Sequence, residues 1–464
     1  MALPAPVGRQ RDVVYLNASG HIVVLGTAGT GKTVMAIHRA MRLANPASVN
    51  HGPTLLLTYT NSLVTYLRHL IGSTSLNVTV ETYGSFGRGY LNSIGRMGYN
   101  QIAKPEFRTY EIERAIKAVA ATYMAGEKFF DRPLDFFSDE LEWIDGNGLK
   151  TLAQYLAIKR VGRMAPLHPS AREAVWKIHE QYHAYRIADG KPYDWPSLPS
   201  AVLEALAADG RARLYKHVVV DEAQDMSPEA IRSLAAAIPP EGSLTLFADY
   251  AQQIYGQRVS WQSCGLRVAR QERFLDNYRN SPEVARLAIA MSDMPHFKDS
   301  PDLVEPKLPA RASGAKPTLV KCADRTEESK LVSDTAAELG RTGRVAVLGR
   351  TRAEARMATA GIPSRRMLHD KMISWDISNG VYAGTYHSAK GLEFDSVLLP
   401  FCNADTRPDA ETVEAFGFDE AAGRVSRQLY VGVTRARAEL ILTYSGELTP
   451  LLPPPDSDLY TVVS

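Results

Sequence analysis

The residues best suited to chemistry lie in one glycine-rich run, Gly26-Thr27-Ala28-Gly29-Thr30-Gly31-Lys32-Thr33, directly behind the apolar segment His21-Ile22-Val23-Val24-Leu25. In a strand, turn and helix setting such a run wraps its backbone around an anion. Glycine leaves the N–H groups unobstructed, and the helix N-terminus adds its own field. Lys32 then sets a point charge on the β- and γ-phosphates of a nucleoside triphosphate, and the Thr33 hydroxyl is a ligand for Mg²⁺. A second run, Val218-Val219-Val220-Asp221-Glu222-Ala223-Gln224-Asp225, supplies acids. Asp221, at a strand end, suits Mg²⁺, and Glu222 suits the polarising of an attacking water. Paired acids alone usually mark a solvated turn; behind an apolar run, in a chain with a phosphate loop, they read as catalytic. Past a further apolar run ending at Asp249, Gln252 offers an amide that senses the γ-phosphate. Together these residues predict triphosphate hydrolysis.

Such residues meet only if parallel strands bring their carboxyl ends together. Short apolar runs at 21–25, 54–58, 217–220 and 243–248 form one group, and three of them end at Gly26, Asp221 and Asp249. A second group, 318–320, 344–348, 381–385, 396–399 and 439–443, carries no phosphate loop of its own. The stretch between is helical in texture, as in Tyr110 to Met124 and Ala171 to Ile187. The expected fold is therefore α/β, two RecA-like parallel-sheet domains of the P-loop type with a helical insertion in the first. The first domain spans 1–95 and 210–270, the insertion 96–209, the second domain 271–450, and the proline-rich 451–464 is read as a flexible tail.

At 464 residues the chain has room for two or three domains. Its 53 basic and 51 acidic residues nearly balance, so binding to a polyanion must come from a local groove. Cys264, Cys322 and Cys402 stand far apart, which argues against a disulfide framework or metal cluster and fits a reducing cytoplasm. No apolar run is long enough to cross a bilayer, and the start lacks a leader's pattern, so no membrane partner is expected.

The order of motifs resembles the superfamily 1 DNA helicases of the UvrD/Rep/PcrA type over nearly the whole chain. Val7-Gly8-Arg9-Gln10 is similar to the family's Q motif, which makes Gln10 the residue that reads adenine and ATP the nucleotide. Leu57-Thr58-Tyr59-Thr60-Asn61 and Thr82-Tyr83-Gly84-Ser85-Phe86 resemble segments that line the family's single-strand track, implying Thr58, Tyr59, Asn61, Thr82 and Tyr83 as DNA contacts, with Tyr255 joining them from the third motif. Asn277-Tyr278-Arg279 matches the fourth, implying that Tyr278 stacks on adenine and Arg279 reaches the γ-phosphate. Thr385-Tyr386-His387-Ser388-Ala389-Lys390-Gly391-Leu392-Glu393-Phe394 is a near-verbatim fifth motif. It implies DNA contacts from Thr385 and His387 and nucleotide contacts from Lys390, Gly391 and Glu393. Tyr430-Val431-Gly432-Val433-Thr434-Arg435-Ala436 is the sixth, with Arg435 in the finger position. Read singly, Tyr59 and Tyr278 fit core aromatics, His387 a structural histidine, and both arginines surface cations. The flanking matches favour function.

The family pattern is broken in three places. Only Thr351 to Gly380 fill the interval where relatives carry an accessory domain, so that domain is missing or reduced to a connector. Gln257 replaces a base-stacking tryptophan, for which Trp261 is the candidate substitute. Val34 follows Thr33 where arginine is usual. The resemblance implies an ATP-dependent, 3′→5′ translocase or helicase acting on single-stranded DNA or a tailed duplex. The alternative is an ATP-gated regulatory subunit for a nuclease or other effector protein, as in Gabija-type anti-phage systems; an RNA motor or a motor of opposite polarity is a third reading.

Overall fold

The computed structural model describes residues 3–72, 77–123, 127–160, 163, 166–249, 261, 264–295, 308–309, 314–369, 375–376, 378–405 and 407–463. Two sheets organise the chain. The first contains β1 (Gly20–Gly26), β2 (Thr54–Thr58), β3 (Val78–Thr82), β4 (His217–Val220), β5 (Ser243–Ala248) and β6 (Val268–Phe274), in the order β3-β2-β4-β5-β1-β6. The second contains β7 (Thr318–Cys322), β8 (Arg344–Gly349), β9 (Arg366–Met367), β10 (Gly380–Thr385), β11 (Phe394–Leu399), β12 (Ala436–Ser445) and β13 (Thr461–Val463), in the order β13-β7-β12-β11-β8-β10-β9. The described strand pairings are parallel throughout.

Central strands are apolar along their whole length because helices cover both faces of a parallel sheet. In β4, Val218, Val219 and Val220 are fully buried. The edges escaped the sequence reading for the converse reason: β3 alternates polar residues, and β6 carries Arg270, Gln271, Glu272 and Arg273. Because β6 pairs with β1, the first sheet runs past the expected boundary at residue 270, to Phe274.

The insertion has its own core. The helices Pro105–Ala120, Leu134–Asn147 and Pro169–Ala188 pack around Ile112, Phe137, Leu141, Ile144, Ile178 and Tyr182. Across 351–380, the described residues hold the short helix Arg352–Met357 and β9, which pairs with β10 at the sheet edge.

The expectation of a loose tail is corrected. Leu451, Leu452 and Tyr460 are buried in the main core, and β13 pairs with β7. Prolines 453–455 restrict the backbone, but the apolar side chains flanking them still gain by burial.

Candidate functional site

The carboxyl ends of β1, β4 and β5 converge, as the register of Val24 with Phe247 and of Val219 with Thr245 requires. From β1 the chain enters the glycine-rich loop and then the helix Lys32–Ala44. Gly29 and Gly31 adopt φ of 78° and 82°, a region side chains disfavour. Space is short as well, so a side chain there would require its neighbours to shift. A Cβ would lie 2.6 Å from Thr30 Oγ1 at Gly26, 2.0 Å from Asn277 Oδ1 at Gly29 and 2.6 Å from Gln10 Nε2 at Gly31. Gln10 clamps the loop from behind: its Oε1 accepts from Val7 N at 3.0 Å and its Nε2 donates to Thr30 O at 3.0 Å. Lys32 Nζ donates to Gly26 O (2.9 Å), Thr27 O (2.7 Å) and Asp249 Oδ2 (3.2 Å). Ala28 is buried within the same loop.

Asp221 ends β4 with both carboxylate oxygens buried and without a well-formed hydrogen bond. Burial, then the charge of Glu222, push its carboxyl up to about 7, against smaller relief from the Thr33 hydroxyl and Lys32. A buried, unsatisfied carboxylate beside a hydroxyl is an all-oxygen donor set of the kind Mg²⁺ takes, so the residues present fit that ion. Glu222 behaves oppositely. Burial pushes it up, but Lys390, then Lys32 and Arg435, outweigh this and hold it below the usual carboxylate range. Its backbone is left-handed, with φ 58°, a strained conformation for a glutamate. Gln224 Nε2 donates to its Oε2 at 2.5 Å, and Gln224 Oε1 accepts from Asp249 N at 2.9 Å, tying β4 to β5. Neighbouring carboxyls driven apart in this way suit a metal ligand and an ionised base.

The second domain meets this site at two places. Tyr278 N donates to Gly29 O at 2.8 Å, and the Tyr278 side chain stays 42% exposed, leaving its ring available. Arg279 Nε donates to Glu393 Oε1 at 2.7 Å, and burial of Glu393 is outweighed by Arg279, Arg437 and Arg435, which keep it low. Arg435 is buried and donates to Val431 O (3.0 Å) and Leu392 O (3.3 Å). Burial, then Arg279, lower its guanidinium to about 10, with Glu222, Glu393 and Asp249 resisting. Lys390 and Gly391, grouped by the sequence with the nucleotide contacts, are engaged by first-domain side chains. Lys390 Nζ lies 2.6 Å from Asp225 Oδ2 and 3.9 Å from Glu222 Oε2, as a buried ammonium requires. A Cβ on Gly391 would lie 2.4 Å from Leu63 of the helix Asn61–Ile71. Gln252 and Tyr255 lie outside the described residues.

Beside the acids is a cavity of about 990 Å³, and Thr58, Tyr59, Asn61, Thr82, Tyr83 and His387 all line it. Local capping explains much of this arrangement. The hydroxyls of Thr60 and Thr82 accept from Leu63 N and Ser85 N, starting helices at the ends of β2 and β3 and aiming those loops at one side. Tyr59 meets His387 edge-on across the domains, ring centroids 5.4 Å apart. Tyr83 is a post rather than a platform: its hydroxyl lies 2.6 Å from Ser233 Oγ, and burial raises it far above the ordinary phenol range. Thr385 does not line the cavity; its Oγ1 accepts from Ser388 N at 3.2 Å and shapes the loop.

Sequence reasoning missed Trp195, which is 49% exposed, lines the cavity and packs over Gly84. Its one signal was an aromatic in the polar turn Asp194-Trp195-Pro196. Trp261, the expected substitute for the absent tryptophan, is buried in the first domain's core beside Leu266 and Cys264 and offers no face to the cavity.

The insertion and the second domain also touch. Ala415, in the helix Ala410–Phe416, joins the insertion's core. Arg424 Nη2 donates to Asp139 Oδ2 at 2.6 Å and to Glu420 Oε1 at 2.7 Å. Asp139 and Arg424 both line the cavity, so all three bodies contribute to its wall. No described helix is long and apolar enough to cross a membrane.

The chain is similar in sequence to known proteins. The model of the UvrD/REP helicase N-terminal domain matches residues 8–268, and that of the UvrD-like helicase C-terminal domain matches 365–447. The ATP-dependent DNA helicase UvrD2 of Mycobacterium tuberculosis is 24% identical, over 95% of this chain and 79% of its own length. DNA helicase II of Haemophilus influenzae is 23% identical over 58% of this chain and 36% of its own. The ATP-dependent DNA helicase Rep of Buchnera aphidicola is 41% identical, over 14% of this chain and 9% of its own.

Proposed function

Since the chain belongs to the UvrD/Rep family of DNA helicases, we propose that it is an ATP- and Mg²⁺-dependent motor that moves 3′→5′ along single-stranded DNA. The observation that carries this reading is the loop between β10 and β11. One stretch of it touches both sites: His387 meets Tyr59 at the cavity, and Lys390 grips the acids beyond β4. A change at the nucleotide is thereby felt at the strand.

Lys32 and the N–H groups of the glycine loop hold the β- and γ-phosphates, and Thr33 with Asp221 holds Mg²⁺, which when bound neutralises charge on the phosphoryl oxygens. Glu222, kept ionised by its cationic neighbours, takes the proton of the attacking water. Arg279 and Arg435 bring positive charge from the second domain as phosphoryl charge spreads. Tyr278 stacks on the base, and Gln10, whose amide is held by Val7 N and Thr30 O, braces the loop beside it. In the cavity, Tyr59, His387 and Trp195 give bases surfaces to stack on, a sequence-tolerant mode of binding.

The test is phosphate release with and without single-stranded DNA. Stimulation by DNA, with Lys32→Ala losing nearly all activity, is the expected result; full activity in that variant, or indifference to DNA, overturns the reading. Streptavidin displacement from either oligonucleotide end reports polarity. A second reading, an ATP-gated subunit for a nuclease partner, draws on the connector at 351–380, whose described residues form one short helix and an edge strand and reach the first domain through Trp375 against Tyr66. Co-purification with a nuclease and no displacement in either direction would favour it.

A further inference from the structure

We propose that Asp145, His179 and His183 form a binding site for a divalent transition-metal ion of the Zn²⁺ class, inside the helical insertion and separate from the nucleotide site. His179 and His183 stand one turn apart on the Pro169–Ala188 helix, so both imidazoles emerge on one face. That face meets Asp145 near the end of the Leu134–Asn147 helix. His179 Nε2 lies 2.8 Å from Asp145 Oδ1, and His183 Nε2 lies 3.3 Å from Asp145 Oδ2. One ligand atom from each residue falls within 4.8 Å of the others.

Donor type and spacing favour a borderline metal. Two imidazole nitrogens and one carboxylate oxygen are the set that Zn²⁺, Co²⁺ and Ni²⁺ take, whereas Mg²⁺ prefers oxygen alone. Tetrahedral ligands at about 2.0–2.1 Å from a metal lie roughly 3.3 Å from one another. The His183 contact with Oδ2, at 3.3 Å, already has that spacing, while His179 now faces the other oxygen, Oδ1, at 2.8 Å and must turn toward a metal held by Oδ2. Asp145 and His179 are buried, with the Trp176 ring 5.2 Å from that of His179, while the His183 side chain is 24% exposed and gives an entry path.

Binding requires the proton that each Nε2 directs at Asp145 to leave that nitrogen, at His179 as at His183, and one side-chain rearrangement. Arg186 Nη2 faces His183 Nδ1 at 3.1 Å, which places the imidazole proton on Nε2. When a metal takes Nε2, that proton moves to Nδ1, and Arg186 turns to acceptors it already holds, Lys191 O at 3.1 Å and Ser197 Oγ at 3.3 Å. Ser197 in turn is tied to Asp194, to whose Oδ1 its N–H donates at 3.0 Å, and Asp194 precedes Trp195. Gly146, next to Asp145, lines the cavity as well. The metal therefore staples two helices of the insertion and sets the loop that presents Trp195 to the cavity.

The experiment uses the full chain, stripped with chelator, in the Asp221→Asn background so that the nucleotide site's carboxylate is removed. Co²⁺ is titrated while visible absorption is followed, and Zn²⁺ is titrated by calorimetry. Expected are one ion per chain, a visible Co²⁺ band, and affinity weakened on the order of tenfold or more by His183→Ala and by Asp145→Asn. His183 is partly exposed, so its variant should fold, which melting in chelator verifies; should it fail, His183→Gln takes its place. Absence of stoichiometric binding, or binding unchanged in the His183 variant, overturns the proposal and leaves the three residues as a hydrogen-bonded cluster only.

Discussion

Lys390→Met tests whether the second domain keeps Glu222, the proposed catalytic base, ionised. The ammonium is 1% exposed, 2.6 Å from Asp225 and 3.9 Å from Glu222. Near 4 Å, two unit charges at an effective dielectric of 20 interact by about 4 kcal/mol. If water entering the altered pocket restores half of this, the remaining roughly 2 kcal/mol still lowers the ionised fraction of Glu222 by a factor of about 30 at pH values below its midpoint. The sign follows from the cause. Positive neighbours hold Glu222 below its ordinary range, and Lys390 is the strongest of them, so its loss moves the ionisation upward. The assay is DNA-stimulated phosphate release from about pH 4 to 9, a range that reaches below the ordinary carboxylate midpoint. The acid limb should move to higher pH, with the deficit greatest in acid and mostly recovered in alkali, while Lys390→Arg restores the original limb. Melting curves confirm folding, since removing one member of a buried pair costs about 3–5 kcal/mol. A deficit equal at every pH would refute the reasoning and reduce Lys390 to a structural tie.

Three other outcomes are expected. Asp221 is raised to about 7, so its contribution to stability is present at acid pH and lost as pH rises through that value; Asp221→Asn should melt above the parent chain at pH 8.5 without Mg²⁺ or nucleotide, the gap closing toward pH 5, while phosphate release is abolished. A gap independent of pH would contradict the burial argument. Trp195→Ala should weaken single-stranded DNA by about 1–3 kcal/mol, roughly 5- to 150-fold in fluorescence anisotropy, with ATPase at saturating DNA near the parent value; unchanged affinity removes Trp195 from the track. Arg424→Glu sets an anion against Asp139 and should open the contact between insertion and second domain, speeding DNA dissociation about tenfold if roughly 1.4 kcal/mol is lost; an unchanged off-rate means that contact does not retain the strand.

Legibility in the sequence followed the range of the interactions. The glycine loop and the acids after β4 were readable because their chemistry depends on residues a few positions apart, and the strand before each is a continuous apolar run. The edge strands β3 and β6 were not, since an edge needs less apolar character than a centre and their polar residues broke the pattern. Trp195 and the Arg424 to Asp139 bond were out of reach for another reason. The latter joins residues 285 positions apart, and no periodicity within either helix announces its partner. Trp261 shows the limit of nearness in sequence: it sits four residues past Gln257, yet core packing turns it inward.

The segment 351–380 lies within the second domain, between β8 and β10, and itself touches the first, Ser62 Oγ donating to His369 O at 3.4 Å. Two polar segments join the two domains, beside an apolar contact in which Tyr66 meets Trp375 with ring centroids 5.1 Å apart. In one, Tyr278 N holds the phosphate loop at Gly29 O, while Asn280 Nδ2 donates to Ala436 O at 2.6 Å and Ser281 N to Arg437 O at 2.8 Å, both at the start of β12. In the other, the loop from Thr385 to Glu393 reaches the β4 acids, Leu63 and Tyr59. These charged and hydrogen-bonded contacts can be exchanged with water at modest net cost, while the apolar cluster shared by Leu63 and Val64 with Leu392 and Trp375 holds the two domains together. A cleft built this way can respond to a change of one phosphate group, because that group alters the charge balance at Lys32, Glu222 and Arg435. In the proposed motor, the closing force resides at the nucleotide.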